Sequence, residues 1–373
     1  MSKLTVGIIG CGMISEIYMK NCAERYGNLE LVACADINFD AAKSRAEQFG
    51  CRAESIEELL QDPEVSCVVN LTPPASHFDI SMRALKAGKH VYTEKPMSID
   101  RESGEELLTY AESHGLYIGN APDCFLGGGL QTCRQLLDYG VIGTPFAAQA
   151  FFFTRGPEAF HPNPAFFYQK GAGPLLDWGP YYISALVSLF GPISRVSGIG
   201  RNPVSVRKVR SKTSPQFGET FDVEVPTYVS ALLEFENGFT TTLTMSFDAH
   251  YPYWESQMPF IRIFGTEGSL DVPDVNKYDG PVVVRDSTGV QKELPLQFGL
   301  TENCRGIGLS DMANAIENGG AFRANGRFGL HIAEVLVNIQ KAIATGEFVT
   351  VKNRCDKPEA WTKKTPSFVK ERV

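Results

Sequence analysis

The sequence has no apolar run long enough to cross a membrane, no excess of basic residues and no paired cysteine motif. A membrane-spanning helix needs about 18 or more apolar residues in succession, so we expect none. The 373 residues carry a formal net charge of -8. This charge argues against a nucleic-acid or anionic-membrane partner, because both attract clustered lysine and arginine. The apolar segment after Lys3 runs straight into a glycine-rich turn and lacks a strongly basic start, which favours a first strand over a secretory signal.

The nine cysteines are scattered and odd in number, and no two of them form a Cys-x-x-Cys pair. Together with the lack of a recognisable signal, this predicts buried, reduced thiols in a cytoplasmic protein. No cluster of histidine, cysteine, aspartate and glutamate residues has the spacing of metal ligands, so we predict no metal site. The chain length favours two or three domains over a single core.

Strand-like and helix-like segments alternate up to about residue 122, which is the pattern of a parallel sheet with crossover helices. Farther along, alternating apolar segments flank Asn237-Gly238, a strong hairpin signal, and similar pairs surround 265–268 and 286–289. These segments predict a mostly antiparallel sheet, with one face on helices and the other free to meet a partner.

A glycine-rich turn follows the first predicted strand. Gly10 permits the tight turn, and Gly12 lets the backbone approach a pyrophosphate. The next helix begins near Met13 and Ile14, and its N-terminal N–H groups and dipole would attract the phosphates. The pattern predicts a dinucleotide-binding turn; the alternative is a glycine turn in an α/β protein that binds no nucleotide.

The second predicted strand ends at Asp36, 21 residues after Ser15. A carboxylate at this place accepts hydrogen bonds from the adenine ribose hydroxyls of a dinucleotide. It would also repel a 2′-phosphate, and no arginine follows it directly. Asp36 therefore favours NAD over NADP as the cofactor.

Taken together, the motif and the alternation divide the chain into three parts. We predict an α/β Rossmann domain that binds NAD over residues 1–124. An α+β domain for substrate binding and oligomerisation, with a mostly antiparallel open sheet, is predicted over 125–350. A C-terminal tail covers 351–373.

Three further segments stand in an order and spacing typical of one known family. They are Thr72-Pro73-Pro74-Ala75-Ser76-His77, Glu94-Lys95-Pro96 and Gly171-Ala172-Gly173-Pro174-Leu175-Leu176-Asp177-Trp178-Gly179-Pro180-Tyr181. With them the chain resembles the Gfo/Idh/MocA family of sugar and inositol dehydrogenases, from Lys3 to about Glu347. Tyr181 stands where most members of the family carry histidine.

The resemblance implies that five residues join the cofactor side of the site: Thr72, Pro73, His77, Glu94 and Lys95. Lys95 also leaves a predicted strand at the carboxyl edge of the parallel sheet, where ligands bind in such sheets. Its ammonium could bond the nicotinamide ribose and the reacting hydroxyl. The alternative is a surface Lys-Pro turn.

Oxidation of a secondary alcohol needs a hydride acceptor, a base for the hydroxyl proton and a cation for the developing alkoxide. The resemblance and this chemistry assign the cation to Lys95, the base to Tyr181 and the orientation of substrate hydroxyls to Asp177. A phenol with an ordinary pKa of about 10 is a poor base at neutral pH unless a cation lowers that pKa, and we expect Lys95 to supply the cation. The alternatives are a carboxylate that complements a helix dipole for Asp177 and aromatic packing for Tyr181.

His161 is a second candidate base, in a loop that would lie over the pocket as a lid; the alternative is a structural histidine. We predict an NAD-dependent oxidoreductase that oxidises a secondary alcohol of a sugar, inositol or related polyol, or reduces the ketone. Two alternatives stay open: an NAD-dependent glycosidase or lyase with transient redox, and a redox-silent regulator that binds sugar and NAD. The resemblance also implies a homodimer or homotetramer.

Overall fold

The structure, a computed structural model, describes residues 3–250 and 260–370. Residues 1–2 of the predicted first domain, 251–259 of the second and 371–373 of the tail lie outside the described residues. Within the described ranges no helix is both long enough and apolar enough to cross a lipid bilayer.

The first part of the described chain builds a six-stranded sheet in which every neighbouring pair of strands is parallel. The strands are β1 (Leu4–Ile9), β2 (Leu29–Ala35), β3 (Arg52–Glu54), β4 (Cys67–Asn70), β5 (His90–Thr93) and β6 (Ile118–Asn120). Their order across the sheet is β3-β2-β1-β4-β5-β6. This doubly wound order confirms the predicted Rossmann fold.

Crossover helices connect these strands. They are α1 (Ser15–Glu24), α2 (Phe39–Phe49), α3 (Ile56–Gln61), α4 (His77–Lys86) and α5 (Arg101–Ser113). Local sequence sets several of the boundaries: Ser55 and Glu58 form a capping box at the start of α3. Gly50 ends α2 with a φ of 70°, a left-handed conformation that favours glycine.

The second part builds a nine-stranded sheet across the described ranges. Its strands are β7 (Pro145–Phe153), β8 (Ile193–Arg201), β11 (Tyr228–Phe235), β12 (Thr240–Ser246), β13 (Ile261–Gly265), β14 (Gly268–Val272), β15 (Val282–Asp286), β16 (Gln291–Leu294) and β17 (Val349–Thr350). Their order across the sheet is β16-β15-β14-β13-β7-β12-β11-β8-β17. A separate two-stranded hairpin is formed by β9 (Val206–Lys208) and β10 (Thr220–Asp222). Within the described strands of this second sheet only the β7–β12 pair is parallel, so the predicted mostly antiparallel sheet is confirmed.

Four more helices accompany this sheet in the described ranges: α6 (Gly128–Asp138), α7 (Pro174–Phe190), α8 (Ile307–Asn318) and α9 (Gly326–Thr345). Along β11 buried and half-buried residues alternate, because Val229 and Leu233 face the helices while Ser230 and Leu232 face the other way. One apolar cluster contains Val6 of the first sheet together with residues of the second, so the two parts share a core.

Asp123, just after β6, ties the start of α8 to this shared core. Its buried carboxylate accepts hydrogen bonds from the backbone N–H groups of Gly306 (2.9 Å) and Gly308 (3.0 Å) and from the Tyr278 hydroxyl (2.7 Å). A carboxylate at a helix N-terminus satisfies N–H groups that have no partner within the helix. Burial is the largest influence on the pKa of Asp123 and raises it.

The described part of the tail, 351–370, has no long helix or strand but packs against the body. Trp361 is buried; its backbone N–H donates to the Gln131 side chain (3.0 Å) and its indole N–H to the Leu126 carbonyl (3.0 Å). The guanidinium of Arg323 lies 3.7 Å from the Trp361 ring centroid. These contacts hold the tail beside α6.

Candidate active site

The glycine turn after β1 is closed on one side and open on the other. Gly10 has a φ of 105°, and an added Cβ would lie 2.7 Å from the Leu71 carbonyl group, so no side chain fits there. At Gly12 an added Cβ would meet no atom within 4 Å. The turn therefore offers bare backbone to the space beside the N-terminus of α1, which fits a pyrophosphate.

Asp36 lies beside this turn, at the end of β2. One carboxylate oxygen accepts the Cys11 backbone N–H (2.7 Å), and the other accepts the Asn38 backbone N–H (2.8 Å). Met13, in the glycine turn, and Ile37, next to Asp36 in the chain, are 83% and 96% exposed. An oriented carboxylate beside this turn fits the adenosine end of a dinucleotide.

His77 connects the loops that follow β4 and β5. Its Nδ1 lies 2.7 Å from the Pro96 carbonyl oxygen and its Nε2 lies 2.8 Å from that of Thr72. The ring is fully enclosed, and burial lowers its pKa even though both carbonyl contacts favour the protonated form. His77 thus holds the two loops together, whereas Pro73 is exposed at the edge between them.

Glu94 orients the start of the second loop. Its carboxylate accepts hydrogen bonds from the Tyr18 hydroxyl (2.8 Å) and from the backbone N–H of Lys95 (3.0 Å). The Lys95–Pro96 peptide is cis. The backbone of Lys95 is therefore fixed by α1 through Tyr18 as well as by its own strand.

Lys95, Asp177 and Tyr181 meet where the two parts of the chain face each other. The Lys95 Nζ donates to the Asp177 carbonyl oxygen (2.8 Å) and to its carboxylate (3.2 Å), and it lies 5.3 Å from the Tyr181 ring centroid. Asp177 and Tyr181 are one turn apart on α7, which begins at Pro174, directly after Gly173. The structure brings these three side chains into one cluster.

Electrostatics within this cluster decide which groups carry charge. Burial lowers the pKa of Lys95, but the nearby Asp177, Tyr181 and Glu94 outweigh burial, and the net shift is upward. For Tyr181, burial raises the pKa to about 12, although Lys95 acts in the opposite direction. At neutral pH the pair therefore consists of an ammonium and a neutral phenol. Lys95 does act to lower the pKa of Tyr181, as expected, but the pKa still lies above its ordinary value because desolvation of the ring is the stronger effect.

His161 makes its recorded contacts within its own loop. Its Nδ1 contacts the backbone of Asn163 in its own loop, and its ring packs edge-on against Phe166 and Phe167 at centroid distances of 5.5 and 5.0 Å. Its neighbours in the loop line the cavity beside Tyr181, but the His161 side chain does not.

A cavity of about 550 Å³ opens beside Asp177 and Tyr181. Its walls are formed by Phe152, Thr154, Arg155, Gly156, Pro157, Ala159, Phe160, Phe167, Asp177, Trp178, Tyr181, Phe247 and Asn276. The size is that of a site for a small organic ligand.

Sequence reasoning did not identify Asn276 and Arg305. Arg305 donates to the Asn276 side-chain oxygen (2.7 Å), and its positive charge acts on Tyr181 against the effect of burial on the pKa of that phenol. The two residues lie in separate loops, far along the chain from α7, and no motif surrounds them. Arg305, a cation next to the cavity wall, could therefore be identified only from the folded structure.

Family models match most of both parts of the chain. Residues 4–121 match the model described as "Oxidoreductase family, NAD-binding Rossmann fold", and residues 130–271 match "GFO/IDH/MocA C-terminal domain". The glycine turn, Asp36 and Lys95 fall within the first match, and Asp177 and Tyr181 within the second.

Individual proteins resemble the chain over most of its length. The 1,5-anhydro-D-fructose reductase of Ensifer adhaerens is 26% identical over 353 residues, which cover 91% of this chain and 96% of that protein. The dTDP-3,4-didehydro-2,6-dideoxy-alpha-D-glucose 3-reductase of Streptomyces violaceoruber is 30% identical over 270 residues, or 72% of each chain. A solved levoglucosan dehydrogenase, in complex with NADH and L-sorbose, superposes with a TM-score of 0.79 at 20% identity, covering 95% of this chain and all of that one. At that identity the likeness shows the fold alone.

Proposed function

The chain belongs to the Gfo/Idh/MocA family of oxidoreductases, and we propose that it interconverts a secondary alcohol and a ketone of a sugar, inositol or related polyol with NAD as hydride carrier. The observation that carries this proposal is the cluster of Lys95, Asp177 and Tyr181 where the two parts of the chain face each other. It supplies a cation, an orienting carboxylate and a proton carrier within a few ångströms of one another.

The cofactor supplies the hydride acceptor in oxidation and the hydride donor in reduction. Gly10 and Gly12 would hold its pyrophosphate against the N-terminus of α1, and Asp36 would accept hydrogen bonds from the adenosine ribose. A 2′-phosphate would meet the negative charge of Asp36, and this supports NAD over NADP. Thr72, Pro73 and Glu94 form the loops on the nicotinamide side.

Lys95 would donate a hydrogen bond to the substrate oxygen and stabilise its negative charge as the alkoxide develops. Asp177 accepts from Lys95, which aims the ammonium, and its carboxylate can also accept a substrate hydroxyl. The fixed geometry means that little reorganisation is needed when the charge appears.

Tyr181 would carry the proton. With a pKa of about 12 the phenol is protonated at neutral pH, so it is ready to donate to the oxygen of a ketone that is being reduced. Both curated relatives described above are named reductases, which supports reduction as the favoured direction. His161 is a weaker candidate for this role, because its ring is turned into its own loop.

We also propose a cytoplasmic homodimer or homotetramer. All nine cysteines are free in the described chain, which suits a reducing compartment. The face of the large sheet away from the helices carries the half-buried residues Ser230, Leu232 and Thr244. This face would suit contact with a second copy of the chain. Light scattering coupled to size-exclusion chromatography measures the assembly directly.

A spectrophotometric screen tests the proposed reaction. Polyols, aldoses and their keto derivatives are offered with NAD or NADP in the oxidised and reduced forms, and nicotinamide absorbance is followed. We expect turnover with at least one pair and a higher kcat/KM with NAD. Tightly retained cofactor with sugar cleavage and no net redox change would favour a glycosidase or lyase. Sugar and NAD binding without any chemistry would favour a regulator.

A further inference from the structure

The cavity beside Tyr181 has a rigid aromatic interior. Phe152 of β7 stacks on Trp178 of α7 with a centroid distance of 4.2 Å and an interplanar angle of 26°. Phe247, just after β12, meets Phe152 edge-on at 6.4 Å. Because Phe152 and Phe247 are buried in the core and Trp178 is set by a helix, these rings form a fixed wall.

Another part of the wall is a loop that the fold holds in place. Glu158 in this loop is 3% exposed, and its carboxylate accepts from the guanidinium groups of Arg207 and Arg210, both at 2.9 Å. It also accepts from the Tyr168 hydroxyl, and Arg207 pairs in addition with Asp248. A buried network of this kind fixes the loop between β7 and α7 against the β9–β10 hairpin.

Two aromatic residues of this loop, Phe160 and Phe166, are exposed to solvent. Phe160 lines the cavity yet is 68% exposed, and Phe166, beside the cavity-lining Phe167, is 46% exposed. The Phe166 and Phe167 rings contact each other with a 4.0 Å centroid separation. The exposed rings continue the apolar interior outward, so a ligand that covers them gains apolar burial.

Polar side chains occupy only part of the described wall. Asp177 and Tyr181 contact Lys95, and Asn276 accepts from Arg305. Thr154 and Arg155 are the other polar lining residues of the described chain. A ligand with hydroxyls all around its ring would place some of them against phenylalanine and tryptophan. A buried hydroxyl without a hydrogen-bond partner costs about 1–3 kcal/mol.

We propose that the substrate is amphipathic: a cyclic secondary alcohol whose hydroxyl-bearing edge faces Lys95 and whose other end carries an apolar group, as in an aryl glycoside. The apolar group would lie between the Trp178 wall and Phe160. This inference rests on the proposed function, since Lys95 and Tyr181 define the reacting end.

Matched pairs of ligands test the inference by binding as well as by turnover. Methyl and phenyl β-D-glucosides, galactosides and mannosides are titrated into the protein saturated with NADH, with quenching of tryptophan fluorescence as the readout. Trp178 in the cavity wall should report the phenyl group directly. We expect at least one phenyl glycoside to bind about tenfold or more tightly than its methyl partner, because a phenyl ring adds substantial buried apolar area.

Two variants locate the effect. Phe160→Ala should abolish most of the phenyl advantage, whereas Phe217→Ala should leave it unchanged. Phe217 is a fair control because it is 57% exposed and does not line the cavity. Thermal unfolding of both variants shows whether either has lost its fold, and Phe160→Leu serves as a milder second variant with a partial loss expected.

Several outcomes would overturn the inference: equal binding of phenyl and methyl partners, no binding by any phenyl glycoside, or a phenyl advantage that survives in Phe160→Ala. Failure of the proposed function looks different. In that case phenyl glycosides bind with the expected preference, but no alcohol or ketone changes the nicotinamide absorbance. Turnover of unsubstituted polyols with kcat/KM at least equal to that of amphipathic alcohols would leave the proposed function standing and refute the inference.

Discussion

Replacing Lys95 with methionine removes the ammonium group while keeping a similar side-chain volume. In the structure the Lys95 Nζ makes two contacts with Asp177, at 2.8 and 3.2 Å, and has side-chain exposure of only 17%. The same ammonium would face the substrate oxygen. Loss of one such donor to a developing oxyanion costs about 10²–10³ in kcat, equivalent to about 3–4 kcal/mol of transition-state stabilisation. We expect Lys95→Met to lose activity by at least that factor.

The assay separates catalysis from cofactor binding. Steady-state rates give kcat and KM, and enhancement of NADH fluorescence gives the affinity for the cofactor. Since Gly10, Gly12 and Asp36 would hold the other end of the dinucleotide, NADH affinity should change far less than kcat. Lys20→Met, at an exposed position of α1, is a matched control that should leave both quantities unchanged. Undiminished kcat in Lys95→Met would refute the reasoning.

Four other changes probe separate parts of the account. Asp36→Ala removes like-charge repulsion worth about 1–4 kcal/mol, so kcat/KM for NADP relative to NAD should rise about tenfold or more in parallel assays. Tyr181→Phe deletes the proton donor and should slow ketone reduction by a factor of about 10²–10⁴. In the wild type the rate of ketone reduction should not change with pH near neutrality, because the pKa of Tyr181 is about 12. Asp123→Asn should reduce the free energy of unfolding by about 1–3 kcal/mol in denaturant titrations, because an amide cannot accept all the hydrogen bonds that Asp123 accepts. Burial lowers the pKa of His331, whose Nε2 accepts from the Ile193 N–H, so the folded state takes up fewer protons than the unfolded state. The free energy of unfolding should therefore fall as pH drops from about 7 to 5, and less so in His331→Gln.

Contrary results are equally specific. An unchanged cofactor ratio in Asp36→Ala would mean that this carboxylate does not meet the ribose. Full reductase activity in Tyr181→Phe would mean that a group other than Tyr181 donates the proton. Wild-type stability of Asp123→Asn would contradict the role of Asp123 at the start of α8. An identical pH dependence of unfolding in His331→Gln would assign the acid sensitivity to other groups.

Local signals in the sequence predicted the first sheet closely. The apolar segment after Lys3 was predicted to be the first strand, and β1 covers Leu4–Ile9 in the structure, because a short apolar run before a glycine turn leaves little choice. The Asn237-Gly238 turn likewise marked the β11–β12 hairpin, and Gly238 has a φ of 85°. Turns and helix ends depend on a few neighbouring residues, so they can be inferred from sequence.

Features that depend on distant parts of the chain were not predictable in this way. The parallel pairing of β12 with β7 joins segments about 90 residues apart and has no local signature. The raised pKa of Tyr181 follows from burial of its ring between two parts of the chain. Arg305 contacts the cavity-lining Asn276, and Asp123 anchors the neighbouring backbone at Gly306. Motifs therefore identified Lys95, Asp177 and Tyr181, but not their charge states or their surroundings.

Transfer of deuterium tests the central claim of hydride exchange most directly. A secondary alcohol that supports turnover is labelled with deuterium on the carbinol carbon, and the reduced cofactor is analysed by mass spectrometry. The proposed reaction predicts one deuterium in each NADH formed. Where hydride transfer limits turnover, it also predicts a lower rate with the labelled alcohol than with the unlabelled one. Unlabelled NADH from the labelled alcohol would contradict hydride transfer from that carbon.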